Sequence, residues 1–477
     1  MMTNQGMTVA RLLQFKEAVE IPFPFTLRLN KAPDEFVIAE ELNRFLPHKR
    51  LACKATYQGK AVFIKVFFGK GYKQRAKREF DGAQLMSKAG VPTPEIIDFV
   101  INESASFSLV IFQFIDQAET LGQKLASLNS VEEREAVFRT ALTFICKMHD
   151  QSCYQQDVHL DNFLDDGNKL YLIDGDQVNG EQKGRCLSEK WASRNLAMFL
   201  TQLPQWEKAS INKLLDSYIK LRDTTLSPNF RQGVLRQLSI YRDWREDKYI
   251  NKKVFRRCTA FEIIKNWKQF CVFSRALDKQ DVDQFIANPD SFINEGQVLK
   301  SGRSATVAKV DIAGKLYIVK RYNKKSTLHQ FARSVMESRA AVSWRNGHLL
   351  DFNGIETAKP LLLLENRFGK LRGRSYFVTE YLEGIHAYEY FHSAVCRADA
   401  MTMAEKIHCL IQHLHACGYA HGDLKAHNIW ITNNSPVLID LDGMRKVSKA
   451  KLGLVNKDWS RLQKDLGTSD IAEALFK

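Results

Sequence analysis

The stretch His421-Gly422-Asp423-Leu424-Lys425-Ala426-His427-Asn428, with Leu438-Ile439-Asp440 ten positions further on, decides the fold class. It supplies three groups that phosphoryl transfer needs, in a workable order. Asp423 can accept a hydroxyl proton. Asn428 and Asp440 can hold a metal ion against phosphates. A weaker copy lies upstream as Gln155-Gln156-Asp157-Val158-His159-Leu160-Asp161-Asn162, followed by Leu172-Ile173-Asp174. In both copies 17 positions separate the first aspartate from the last. A repeat at equal spacing predicts two catalytic centres of one type, or one centre and a relic.

The flanking sequence extends the repeat. In the first half, Val62-Phe63-Ile64-Lys65 reads as a strand and a helical pattern follows from Lys73 to Lys88, carrying Glu79. A second helix over Val131 to His149 leads into the Asp157 loop. The second half reads the same way. Val298 to Val307 and Leu316 to Arg321 are strand-like, Lys320 lies in the latter, and a helix from about Leu328 to Asn346 carries Glu337. Ala400 to Cys417 is the helix before the Asp423 loop. Lysine and base are 92 residues apart in one half and 103 in the other. The spacing predicts Lys65 paired with Glu79 and Lys320 with Glu337, each lysine reaching nucleotide phosphates. Asn162 and Asp174 would then hold metal in the first centre, as Asn428 and Asp440 do in the second. Lys425, two residues past the base, can reach the transferring phosphoryl group. The second half has no G-x-G-x-x-G, only Gly302 in Lys300-Ser301-Gly302-Arg303, whose backbone is a candidate phosphate cradle.

These patterns predict an α+β chain of two tandem bilobal domains, each with a small β-rich N-lobe and a helical C-lobe. The domains are expected at 1–290 and 291–477, with a hinge near Ala287-Asn288-Pro289-Asp290. Only about 37 residues follow Asp440, so the second C-lobe is expected to be reduced or to borrow surface from the first domain.

Composition narrows the setting. Apolar residues make up 45% and charged residues 26%, as in a globular chain with a substantial core. The net charge of +15 predicts an anionic partner. Lys248, Lys252, Lys253, Arg256 and Arg257, interleaved with Tyr249, Phe255 and Phe261, are a candidate docking face. No nucleic-acid module accompanies them, so nucleic acid is not expected. The nine cysteines are odd in number and scattered, which argues for free thiols in a reducing compartment. No leader peptide and no run of about 18 apolar residues is seen, which predicts a cytoplasmic protein, if anything resting on a membrane surface.

The second half resembles the bacterial lipopolysaccharide core kinases, the Kdo and heptose kinases of protein-kinase-like fold. The resemblance rests on Arg339 to Gly347, Gly354 to Pro360, HGDLKAHNIWI from His421, LIDLDGMR from Leu438, and Asp458-Trp459-Ser460-Arg461-Leu462. The first half shares Gly90-Val91-Pro92-Thr93-Pro94 and the Asp157 loop. The resemblance implies an ATP- and magnesium-dependent kinase acting on an inner-core sugar, heptose by preference, at the cytoplasmic face of the inner membrane. The acceptor would be lipopolysaccharide core or a lipid-linked glycan. By the same resemblance Asp423 is the base, with Asn428 and Asp440 on the metal. Gly422 stands where regulated protein kinases carry an arginine, so control by activation-loop phosphorylation is not expected. Two other readings stay open on the sequence: a small-molecule or protein kinase of related fold, and a scaffold without turnover.

Overall fold

The structure, a computed structural model, describes residues 6–29, 35–128, 130–181, 186–222, 224–323, 336–393, 396–447 and 453–466. The chain divides into two compact units. The first comprises Met1–Leu203 with Glu207–Tyr241, the second Pro204–Trp206 with Arg242–Lys477.

In the first unit the strands are β1 (Phe25–Arg28), β2 (Phe36–Leu46), β3 (Arg50–Tyr57), β4 (Lys60–Phe68), β5 (Ile96–Asn102) and β6 (Phe107–Gln113). They form one antiparallel sheet in the order β1-β2-β3-β4-β6-β5. Apolar side chains alternate along β3 and β4, and their inward faces are fully buried. The helix Tyr72–Lys88 turns Ala76, Glu79, Ala83 and Met86 inward at helical spacing. Below the sheet lie helices Val131–Asp150, Glu189–Leu200 and Lys208–Leu221. Ser130 caps the first of these by accepting from Glu133 N at 3.1 Å.

The second unit carries β7 (Phe261–Lys265), β8 (Gln269–Ser274), β9 (Gln297–Ser301), β10 (Ala305–Ile312), β11 (Lys315–Tyr322), β12 (Pro360–Phe368) and β13 (Leu371–Glu380). Their order is β7-β8-β12-β13-β11-β10-β9, again antiparallel. Five strands therefore run first-second-third-fifth-fourth in each unit: β2-β3-β4-β6-β5 and β9-β10-β11-β13-β12. Lys65 and Lys320 both sit on the third, central strand. The helix Arg339–Phe352 follows, then Arg397–Ala416 and Gly453–Leu466.

Three expectations need correction. The boundary does not fall near Pro289. Residues 261–274 form a hairpin whose β8 pairs with β12, so they complete the second sheet. Asp290 is pinned within that unit, accepting from Arg321 Nη1 at 3.1 Å and the Tyr376 hydroxyl at 3.0 Å; it is no hinge. The run Val298 to Val307 is not one strand, because residues 302–304 turn it into the β9–β10 hairpin. The helix expected from Leu328 starts at Arg339, where Ser338 caps Ala341 N at 3.1 Å, and residues 324–335 lie outside the described residues.

The second unit's lower half is small, and it draws in earlier chain. Trp206 stacks on His413 with ring centroids 4.3 Å apart, and Ile250 joins the core around Ile407, Ile411 and Leu414. Trp344 is fully buried in a neighbouring cluster and donates its indole N–H to Val254 O at 3.0 Å.

Two buried histidines make stability pH-dependent. Burial drives His149 and His348 down to about 3, so both fold as neutral rings. In the unfolded chain each ring takes up a proton below about 6.5. The stability tied to their neutrality is therefore complete above pH 6.5 and lost as pH falls toward the folded value. Urea titrations at pH 7 and pH 5 should show a loss of about 2 kcal/mol for each histidine. His348→Leu should remove one of the two contributions.

Candidate active site

The central strand of the second unit aims Lys320 into a cleft of about 440 Å³. Leu299, Lys300, Thr379, His427, Asn428 and Asp440 are among its lining residues. Lys320 Nζ bonds to Asp440 Oδ1 and lies 3.6 Å from Asp442. Burial alone would lower the Lys320 pKa, but Tyr322, Asp440 and Asp442 outweigh it and hold it above its ordinary value. Burial pushes the Asp440 carboxyl up, and the lysine beside it pulls it net down, so it stays ionised. Asp440 has φ of +61°, a left-handed conformation that asparate tolerates better than most residues.

Glu337 is not the partner of Lys320. It bonds to Arg345 and is not among the residues lining the cleft. The helix begins after Glu337, so that carboxylate cannot ride on the buried helix face. Inward positions hold Ser343, which shares a 2.7 Å hydrogen bond with Tyr322, and Asn346, which donates to Leu441 O at 2.8 Å. Asp442, paired with Arg339, is the second acid near the lysine. Gly302 is also not a phosphate cradle. Its N–H donates to Ala305 O at 3.0 Å and its carbonyl accepts from Asn323 at 2.9 Å. Leu299 and Lys300, on the strand just before it, are the roof residues that line the cleft.

The Asp423 loop is held from below. Asn428 Nδ2 donates to Asp423 O at 2.8 Å, which leaves Oδ1 as its acceptor, the atom a hard cation needs. Lys425 Nζ stands 3.1 Å from the Asp423 carboxylate, both about half exposed. His421 is buried, its ring bonded to Ile439 O at 3.0 Å. Gly422 has φ of +80°, and a Cβ there would lie 2.3 Å from Gly443 O, so only glycine fits.

The last described helix clamps this loop through one face. Asp458, completely buried, accepts from His421 N at 2.6 Å and Gly422 N at 2.9 Å. His415 approaches the same carboxylate at 3.4 Å. Arg461 bonds to Gly422 O, and Asp465 accepts from Ala426 N at 2.7 Å. Spacings of three and four residues put all three side chains on one stripe. That stripe was the available sequence signal for the clamp. The second acid of Asp440-Leu441-Asp442, repeated in Asp174-Gly175-Asp176, was the signal for Asp442.

The first unit holds a comparable set. Lys65 Nζ lies 2.6 Å from Glu79 and 2.8 Å from Asp174, in a cleft of about 730 Å³. Burial would lower the Lys65 pKa, and the two carboxylates raise it above its usual value. Asp174 has φ of +73°. Glu79, Asp174 and Asp176 present oxygens within 4.8 Å of one another, the one such acid cluster found among the described residues. Arg50 reaches Asp176 at 3.3 Å and Asp174 at 3.6 Å. Asn162 Nδ2 donates to Asp157 O at 3.0 Å, the bond that Asn428 makes to Asp423. His159 lines the cleft where the second loop has Lys425. Gln155 stands at the His421 position and reaches Ile173 O and Asp174 O, each at 2.8 Å. Loss of the His-Gly pair therefore leaves the loop supported. Asn195 takes the part of Asp458, its Nδ2 donating to Gln155 O at 2.6 Å and its Oδ1 accepting from His149 Nε2 at 2.9 Å.

The basic stretch near Lys248 is not an aromatic docking face. Phe261 is buried, Tyr249 stacks on Phe352 at 5.1 Å, and Phe255 lies under Arg345. Its cations are partly spent too: Lys252 faces Asp247 at 3.5 Å, and Arg257 pairs with Glu262.

The family model described as lipopolysaccharide kinase (Kdo/WaaP) family matches residues 59–218 and 283–475, well over half of the chain. No curated protein matches. Among solved structures, one described as "WaaP in complex with acyl carrier protein" is similar at 15% identity and a TM-score of 0.33, covering 43% of this chain and 88% of that one. The match makes the protein a kinase, a phosphotransferase with a sugar hydroxyl as acceptor. The chain belongs to the lipopolysaccharide kinase (Kdo/WaaP) family. Membership implies ATP as donor and, typically, a divalent metal.

Asp458→Ala would leave two buried backbone N–H groups without an acceptor. The expected cost is about 2–5 kcal/mol in urea unfolding, with kinase activity falling in parallel. Undiminished activity in a stable Asp458→Ala protein would show that the clamp does not position the loop.

Proposed function

We propose that the chain is an ATP- and magnesium-dependent kinase that phosphorylates a heptose of the lipopolysaccharide inner core, built as two kinase-like bilobal domains in tandem, with the division of the chain near Tyr241. The second domain carries the turnover. The observation behind this reading is the convergence in one cleft of Lys320 and Asp440 with Asn428, the residue that fastens the Asp423 backbone. The shared strand order supports the tandem reading.

The donor set fits the implied ligands. Asn428 Oδ1 and the Asp440 carboxylate are hard oxygen ligands suited to magnesium, and the Lys320 ammonium suits phosphate oxygens. Bound magnesium ATP would supply the phosphoryl group and neutralise part of its charge. The chain's own residues do the rest. Asp423 accepts the proton of the acceptor hydroxyl. Lys425, beside it, balances charge at the transferring group. Lys320 and Lys300 draw the phosphates to the sheet side of the cleft.

In the first domain, Lys65, Glu79, Asn162 and Asp174 are assigned to a second nucleotide site, with Asp157 in the base position. The complete lysine–glutamate–aspartate contact set supports nucleotide binding there. The acceptor, lipopolysaccharide core or a lipid-linked glycan, would be met at the inner-membrane surface from the cytoplasm. Among the described residues no helix is long and apolar enough to cross a membrane.

Core oligosaccharide mass in cells carrying Asp423→Ala or Asp157→Ala tests the assignment. A phosphate-sized loss with Asp423→Ala alone is expected, and purified Asp423→Ala should turn over about 10²–10⁴-fold more slowly. Full phosphorylation with both variants would overturn the reading.

A further inference from the structure

Two hairpin tips of the second sheet lie side by side and present bare aromatic rings. Trp267, in the β7–β8 turn, is 66% exposed, and Phe368, at the β12–β13 turn, is 70% exposed. The rings contact each other edge to face with centroids 5.6 Å apart. Exposed rings on floppy loops would mean little, but these are fixed. Asn266 Oδ1 accepts from Lys268 N at 2.8 Å and Gln269 N at 2.9 Å, which closes the first turn. Gly369 N donates to Trp267 O at 2.9 Å and Arg367 N to Lys268 O at 2.6 Å, which ties one tip to the other. The indole lies flat against Gly369, where a Cβ would come within 2.9 Å of the ring.

The rim is cationic. Lys265, Lys268 and Lys370 are exposed and none has an acidic partner among the described residues. Glu365, the acid on these strands nearest the tips, is buried and paired with Arg367 at its Oε2. The platform thus combines two rigid amphipathic-sized aromatics with three free ammonium groups and no exposed carboxylate of its own. Interfacial tryptophan and phenylalanine enter the headgroup boundary of a bilayer, and lysines beside them gain from its anionic lipids. A docking site for a neutral apolar protein would not call for the lysine rim.

The geometry points to this double hairpin tip as the site at which the protein rests on an anionic membrane surface. The inference deepens the proposed encounter with a membrane-borne acceptor and rests on it for its purpose, though not for its chemistry. β13 runs from the platform at Leu371 to the cleft-lining residue Glu380, roughly 30 Å at the rise of an extended strand. Changes at the tips therefore spare the catalytic groups.

The test is partitioning of the full chain onto phosphatidylcholine vesicles with and without phosphatidylglycerol. Binding to the anionic vesicles alone is expected. Trp267→Ala/Phe368→Ala should weaken it at least about tenfold, and each of Lys265, Lys268 and Lys370 replaced by serine should weaken it roughly fivefold. Brominated lipid should quench the wild-type tryptophan emission and spare Trp267→Phe. Equal binding by the aromatic double variant, unchanged quenching in Trp267→Phe, or variants that keep vesicle binding but lose a bound acidic protein would each overturn the inference. Phosphorylation of detergent-solubilised acceptor reads the kinase assignment separately, and the tip variants should retain it.

Discussion

A completely buried carboxylate with no lysine or arginine on it among the described residues organises the candidate site of the second unit. Asp458 spends its charge on two backbone N–H groups of the loop that carries Asp423. Taking a carboxylate out of water is costly unless hydrogen bonds replace hydration, and the loop amides are those bonds. The requirement works in both directions. The loop cannot leave without stranding a buried charge, and the helix cannot shift without stranding two N–H groups. Everything downstream of this contact, from the Asn428 amide to the placing of Asp423, inherits its rigidity.

The first unit reaches a similar shape with less charge. Asn195 replaces Asp458, Gln155 replaces His421, and His149 is held neutral by burial. A neutral network tolerates burial more cheaply than an ionic one, but it grips through single hydrogen bonds. Charge is instead concentrated at the top of the cleft, where Lys65 and Arg50 face Glu79, Asp174 and Asp176.

The repeated loop motifs and the two lysine strands were legible because both follow from short-range spacing. A 17-residue interval fixes a hairpin between two functional ends, and an apolar run around a lysine marks a central strand. What the sequence hid depended on distant chain. Glu337 sits at helical distance from later residues, yet the cap at Ser338 starts the helix after it. The strand β8 pairs with β12, nearly ninety residues on, so no local pattern assigned Gln269–Ser274 to the second sheet. Gly302 looked available for phosphate until the backbone bond to Ala305 accounted for its N–H. Asp458 was visible in the sequence as one of a helical stripe with Arg461 and Asp465, but nothing in that spacing shows that its carboxylate is buried.

The unusual seat of Lys320 bears on control. In protein kinases the strand lysine is held by a glutamate on a mobile helix, and moving that helix disarms the enzyme. Here the ammonium is held by two acids of a single loop, Asp440 and Asp442, and the serine on the neighbouring helix, Ser343, bonds to Tyr322 instead. A helix without a grip on the lysine cannot serve as a throttle. The seat of Lys320 travels with the loop that carries Asp440 and Asp442, so displacing the helix would not by itself unseat the ammonium.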